Sequence, residues 1–157
     1  MTALTTGILQ ICMSFLGSLG FSILYNVRGK RLLLAALGGA MTWGLHLLLG
    51  QVLPGAPIRY FLCALFAAFY AEILARKLKT PAATFLIPSL IPHVPGGSLY
   101  TTMHYALSRQ WDLCLSQALY TLALALALAI GVAVVLTFYN VLGIIRQRLH
   151  ERKERSS

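Results

Sequence analysis

From Leu113 to Ile145 the chain carries no charged residue. A helix needs only about 20 residues to cross the roughly 30 Å hydrocarbon core of a bilayer. The run is longer than one crossing, so its ends reach the interface or the helix tilts. Three further apolar runs precede it: residues 1–27, Leu32–Leu53 and Ile58–Ala75. The last is short, but Arg59 and Arg76 stand at its ends and can snorkel outward. The composition agrees. The 157 residues are 58% apolar and 11% charged, against about 25% charged in soluble domains, and a soluble chain this short cannot hide so much apolar side chain. The alternation in "TLALALALAIG", residues 121–131, looks like a strand. Ala and Leu are strong helix formers, however, and an open strand leaves bare peptide groups in lipid. The predicted fold is an all-α integral membrane protein of about five transmembrane helices.

The net charge of +9 falls between the apolar runs. No basic face remains for nucleic acid once the spans are removed, so the charge reads as membrane orientation. Residues 28–31 hold three cations, residues 76–79 hold three, and Arg146 to Arg155 hold five against Glu151 and Glu154. The remaining loops hold Arg59, and Arg109 with Asp112. With the basic loops in the cytoplasm, the N-terminus is outside and the C-terminus inside. Residues 1–27 lack the basic n-region of a signal peptide and read as a retained first span. The expected organisation is a bundle over residues 1–145 and a basic cytoplasmic tail over 146–157.

That topology requires the fourth segment, Thr80 to Leu107, to cross completely. It contains "IPSLIPHVPGGSLY", residues 87–100. Each proline removes a donor, so Pro88, Pro92 and Pro95 free the carbonyls of Thr84, Pro88 and Ile91. The residues before them are β-branched and favour extended backbone. Gly96 and Gly97 allow a sharp turn, and Ser98 is a good N-cap for a second half-helix from Leu99 to Leu107. The result is two half-helices with unwound backbone between them. Such backbone is tolerated at membrane depth only where protein buries it or a wet cavity lines it, and it is the usual binding site of secondary transporters. Carbonyls suit an ammonium group, and a half-helix N-terminus suits a carboxylate. The candidate substrate site is Pro88, Pro92, His93, Pro95, Gly96, Gly97, Tyr100 and Thr101, with Thr102 beside it.

Glu72 pairs with Arg76 one turn on, or serves as a proton-coupling carboxylate. His93 either titrates for coupling or donates to a freed carbonyl. His46 and His104 read as isolated structural residues, and Asn26 as a C-cap. Cys12, Cys63 and Cys114 have no metal-ligand spacing and read as buried small hydrophobes. No nucleophile with a base, zinc motif or phosphate loop is present; neither enzyme activity, metal nor cofactor is expected. Small residues four apart predict packing faces at Ser14/Ser18/Ser22, Ala36/Ala40/Gly44 and Ala67/Ala71/Ala75. Two more lie on the last helix, at Ala123/Ala127/Gly131 and Ala125/Ala129/Ala133.

Two stretches resemble a known family: "ILARKLKTPAATFLIPSLIPHVPGGSLYTTMHYAL", residues 73–107, and "GFSILYNVRGKRLLLAALG", residues 20–38. The first looks like the signature region of the threonine/serine exporter family, the second like its first-span ending. The size resembles the small subunit of the split, two-component form. Arg28 stands where the family commonly has a proline, and His93 where it commonly has an apolar residue. The resemblance implies export of threonine and serine, or of dicarboxylates such as succinate. It also implies a larger membrane partner subunit and an inner-membrane location. A homo-oligomer is a further arrangement, and a non-transporting assembly or scaffold subunit is the alternative function.

Overall fold

In the computed structural model, residues 3–154 are described, and within them all regular structure is helical, without strands. Helix α1 is Ala3–Leu24, α2 is Lys30–Val52 and α3 is Ala56–Leu78. Helix α4, Ala83–Leu90, runs into a single 3-10 turn, Ile91–His93, and α5 follows at Gly96–Leu107. Helix α6 spans Trp111–Glu154. Four of these, α1, α2, α3 and α6, are long and apolar enough to cross a bilayer. The fourth segment along the chain is the broken one, as its prolines predict. The expected tail continues α6 as far as Glu154, and residues 155–157 lie outside the described residues.

Helix ends follow local chemistry. Asn26 takes a left-handed φ of 56° after α1. There Val27 N–H donates to Ser22 O at 3.0 Å, so Asn26 is the C-cap its position suggests. Arg28 Nε donates to the Asn26 side chain at 2.9 Å. Lys79, at φ 49°, closes α3 in the same way. Pro57 sits in the first turn of α3, where its missing N–H costs nothing.

Side-chain contacts fix the directions of the helices. Arg31 donates to Leu78 O at 3.4 Å, so the loops before α2 and after α3 share one end of the bundle. An added Cβ on Gly131 would lie 2.7 Å from Ala64 Cβ. Further along, the rings of Phe69 and Tyr139 meet at 5.8 Å, and the Arg76 guanidinium covers Tyr139 at 4.6 Å. Helix α6 therefore runs parallel to α3 and finishes at the basic end. Between Lys79 and Trp111 the chain has passed from that end to the other, so α4, the 3-10 turn and α5 together complete a traverse.

The core is thin and made of small residues. Ala64, Ala67, Ala68, Ala71 and Ala75 of α3 are buried, the stripe the sequence predicts. On α2 the closest approach falls on Gly38 and Gly39. A Cβ on Gly39 would sit 2.7 Å from Ser18 Cβ and 3.3 Å from Pro88 O. One on Gly38 would sit 2.8 Å from Tyr70 Cε1 and 3.2 Å from Ser89 Cβ. Glycine is required there because α1, α2 and α4 converge to backbone contact. On α6, Ala123, Ala127 and Gly131 face inward, whereas Ala125, Ala129 and Ala133 are exposed. Among the described residues, Ala129 and Ala133 of the second face are left uncovered, while Ala125 borders the α5 side. Cys12 is also exposed, unlike buried Cys63 and half-buried Cys114, because it lies on the outward side of α1.

Candidate functional site

The break departs from the sequence-based expectation in several details. Pro88 lies inside α4 without ending it. Ile91 O is not left bare: it accepts from Val94 N–H at 3.2 Å, closing the 3-10 turn around Pro92. Unwound backbone is confined to Val94, in extended conformation, and Pro95. Gly96 and Gly97 are not the bend itself, which is centred on Pro95 with Gly96 N–H donating to Val94 O at 2.7 Å. They form the first turn of α5 with ordinary φ, and Gly29 is the glycine that takes positive φ among the described residues. Ser98 is not an N-cap, since the cap position belongs to Pro95. Its hydroxyl instead pairs with Thr121 Oγ1 at 2.6 Å and accepts from Gln117 Nε2 at 2.8 Å. A helix beginning three residues early places Ser98 facing α6.

Three separate environments result. The first is a cavity of about 530 Å³ at the basic end, lined by Tyr25, Asn26, Arg28, Arg31, Thr80 and Thr84 and reaching Ile87 and Pro88. Pro88 has no N–H, so Thr84 O lacks its usual i+4 donor at this wall. Two guanidinium-bearing residues and two threonines make it a polar vestibule. Beyond Pro88 the Gly38–Ser89 and Gly39–Ser18 contacts close the path with packed atoms.

The second lies past that layer, around His93. This residue is fully buried, and neither ring nitrogen has a hydrogen-bond partner. Its ring centroid lies 5.4 Å from Trp43, 5.3 Å from His46 and 5.6 Å from Tyr60. His46 stacks on Trp43 at 5.1 Å, and its Nδ1 is also buried and unpartnered. The ligand atoms of His46, Cys63 and His93 lie within 4.8 Å of one another. His46 is therefore not isolated, and His93 does not donate to a freed carbonyl. The sequence reading missed this cluster because its members come from α2, α3 and the 3-10 turn. One signal was present: His46 lies 16 residues from the basic end of α2, and Cys63 lies 15 residues from that of α3, so aligning antiparallel spans by depth puts them level.

The third is an apolar hollow of about 400 Å³ between α5 and α6, lined by Pro95, Leu99, Thr102, Thr121 and Ala125 among others. Thr101 and Thr102 donate to the carbonyls of Gly97 and Ser98 at 3.0 and 2.9 Å. Tyr100 is 73% exposed. Thus Pro88 belongs to the vestibule, His93 to the aromatic cluster, and Pro95 to the hollow. Gly96, Gly97, Tyr100 and Thr101 face outward or bond locally, and the structure does not gather the candidate residues into one chamber. Glu72 stands apart, 3.4 Å from Arg76 Nε, as the i,i+4 spacing predicts. Among the described residues, the ring contact of His104 is the neighbouring Tyr105, at 6.1 Å.

A polar vestibule running up to Pro88, in a segment whose helix breaks at Val94 and Pro95, fits the broken-helix architecture of membrane transporters. No curated protein and no solved structure matches the chain. The family model described as threonine/serine exporter, ThrE, matches residues 10–138, and the chain belongs to that family.

Proposed function

We propose that this chain is the small subunit of a two-component secondary exporter in the inner membrane, moving threonine and serine or small dicarboxylates such as succinate outward. The family is one of membrane exporters, not a known class of enzymes. The observation that carries the reading is the vestibule. Arg28 and Arg31 attract a carboxylate at its mouth, and Thr80, Thr84 and the Thr84 carbonyl offer partners further in. Substrate enters from the cytoplasmic, basic end and meets the packed layer at Gly38, Gly39, Ser18 and Ser89. Passage requires that layer to part, with Pro92, Pro95, Gly96 and Gly97 as the joint and His93, Tyr100 and Thr101 on the outward side. Glu72 couples the cycle to protons as an intramembrane carboxylate.

The exposed Ala125/Ala129/Ala133 face and the outward side of α5 support a larger membrane partner. They are small or apolar surfaces suited to helix packing in lipid. The test is export in cells. Deleting the gene raises internal labelled threonine, serine or succinate, and export returns only when both subunits are supplied. Arg28→Gln with Arg31→Gln in the restored pair lowers export of the carboxylate substrate at least tenfold, equivalent to about 1.4 kcal/mol. Unchanged export in that variant removes the vestibule from the path. A non-transporting scaffold subunit is favoured only if deletion leaves all three solutes unaffected.

A further inference from the structure

The cluster at His46, Cys63 and His93 has no role in the export reading beyond the place of His93, and its chemistry is that of a metal site. Three ligating side chains converge from three elements, with all ligand atoms within 4.8 Å of one another. His93 and Cys63 are fully buried. Both nitrogens of His93 and Nδ1 of His46 have no hydrogen-bond partner. A buried ring nitrogen without a partner is costly, and two unpartnered imidazoles beside a buried thiol make an expensive arrangement for simple packing. Metal–ligand bonds of about 2.0–2.3 Å require ligand atoms roughly 3.5 Å apart. Movement of about an ångström, within reach of side-chain rotation, closes the set.

The charge of the surroundings selects the ion. Cys63 binds as thiolate, releasing its proton to water, and the two imidazoles bind neutral. Among the described residues, no carboxylate belongs to the cluster. Arg59 lies one helical turn before Cys63, and its Nε is buried without a partner. A dication would leave net positive charge in a low-dielectric site beside that guanidinium. A monovalent ion with one thiolate is neutral. Soft thiolate and imidazole donors together suit Cu(I). We propose that His46, Cys63 and His93 form a three-coordinate site for a soft monovalent cation, Cu(I), tying the 3-10 turn of the broken segment to α2 and α3. Trp43 and Tyr60 wall it with rings.

The test uses the full chain, untagged, in lipid nanodiscs, stripped of metal and titrated anaerobically with Cu(I) buffered by bicinchoninate. Zn²⁺ is titrated in parallel. A Cys12→Ser/Cys114→Ser variant, whose remaining thiol is Cys63, is expected to bind a single equivalent. X-ray absorption should show one sulfur and two imidazole nitrogens. Cys63→Ala and His46→Ala each weaken binding by more than about 100-fold, beyond the loss typical of an outer-shell change. Circular dichroism checks that both remain helical, and if either misfolds, the absorption spectrum of the Cys12→Ser/Cys114→Ser variant decides. Failure of that variant to compete with bicinchoninate, full affinity in a folded Cys63→Ala, or tighter binding of Zn²⁺ overturns the proposal. None of these readouts depends on export, so either reading can fall without the other.

Discussion

Gly38 and Gly39 show how one missing methyl can set the distance between helices. Gly39→Ala forces its new Cβ against Ser18 Cβ and a peptide oxygen of α4, and neither can rotate away. The expected cost is about 2–3 kcal/mol, the upper range for overpacking, read as a lower unfolding midpoint in detergent. Gly20→Ala meets nothing within 4 Å and should gain about 0.5–1 kcal/mol from helix propensity. The sequence pointed to a small-residue face on α2 but centred it on Ala36, Ala40 and Gly44. Spacing identifies faces able to pack; the crossing point depends on the partner helix, which spacing on α2 does not contain. The fully buried His93 was legible as a residue inside the break. Its ring neighbours were not, because contact between residues 46, 63 and 93 is purely tertiary.

At the level of elements, the Pro/Gly segment was legible as a break but not in its internal geometry. Three prolines dictate that an ordinary helix fails; they do not dictate that the chain recovers a hydrogen-bonded 3-10 turn between them. Gly96 and Gly97 sit at helical dihedrals in open space. Gly97→Ala therefore preserves the fold and adds about 0.5 kcal/mol. Gly29→Ala, at φ 66°, loses about 1 kcal/mol or more. Pro92→Ala with Gly96→Leu restores a donor and stiffens the joint, and should depress export while leaving helix content intact. The α3–α6 seam is different. Gly131→Leu would drive atoms into Ala64 Cβ and Phe61 O, 2.7 and 2.8 Å from the first added carbon. It should destabilise the isolated chain by about 2–3 kcal/mol, whereas Ala129→Leu, on the exposed face, should leave the isolated chain unchanged and reduce co-purification of the proposed partner subunit.

For the whole molecule, the charge pattern and the fold agree. The loops before α2 and after α3 and the end of α6 share one face, as the distribution of Lys and Arg requires. Reporter fusions at Gly29 and at the C-terminus should read cytoplasmic, and one at Arg109 external. Helix α6 is about 66 Å long, roughly twice the hydrocarbon thickness. The Gly131–Ala64 contact fixes its register, so it begins about 18 Å beyond the first turn of α3. Helix α5, which packs on that leading part of α6, has no buried residue. A segment with so little held inside opens at low energetic cost. Its amide protons should trade for deuterium sooner than those of α2 or α3, and a bound companion subunit that covers it should slow that trade at Leu99–Leu107 more than anywhere else.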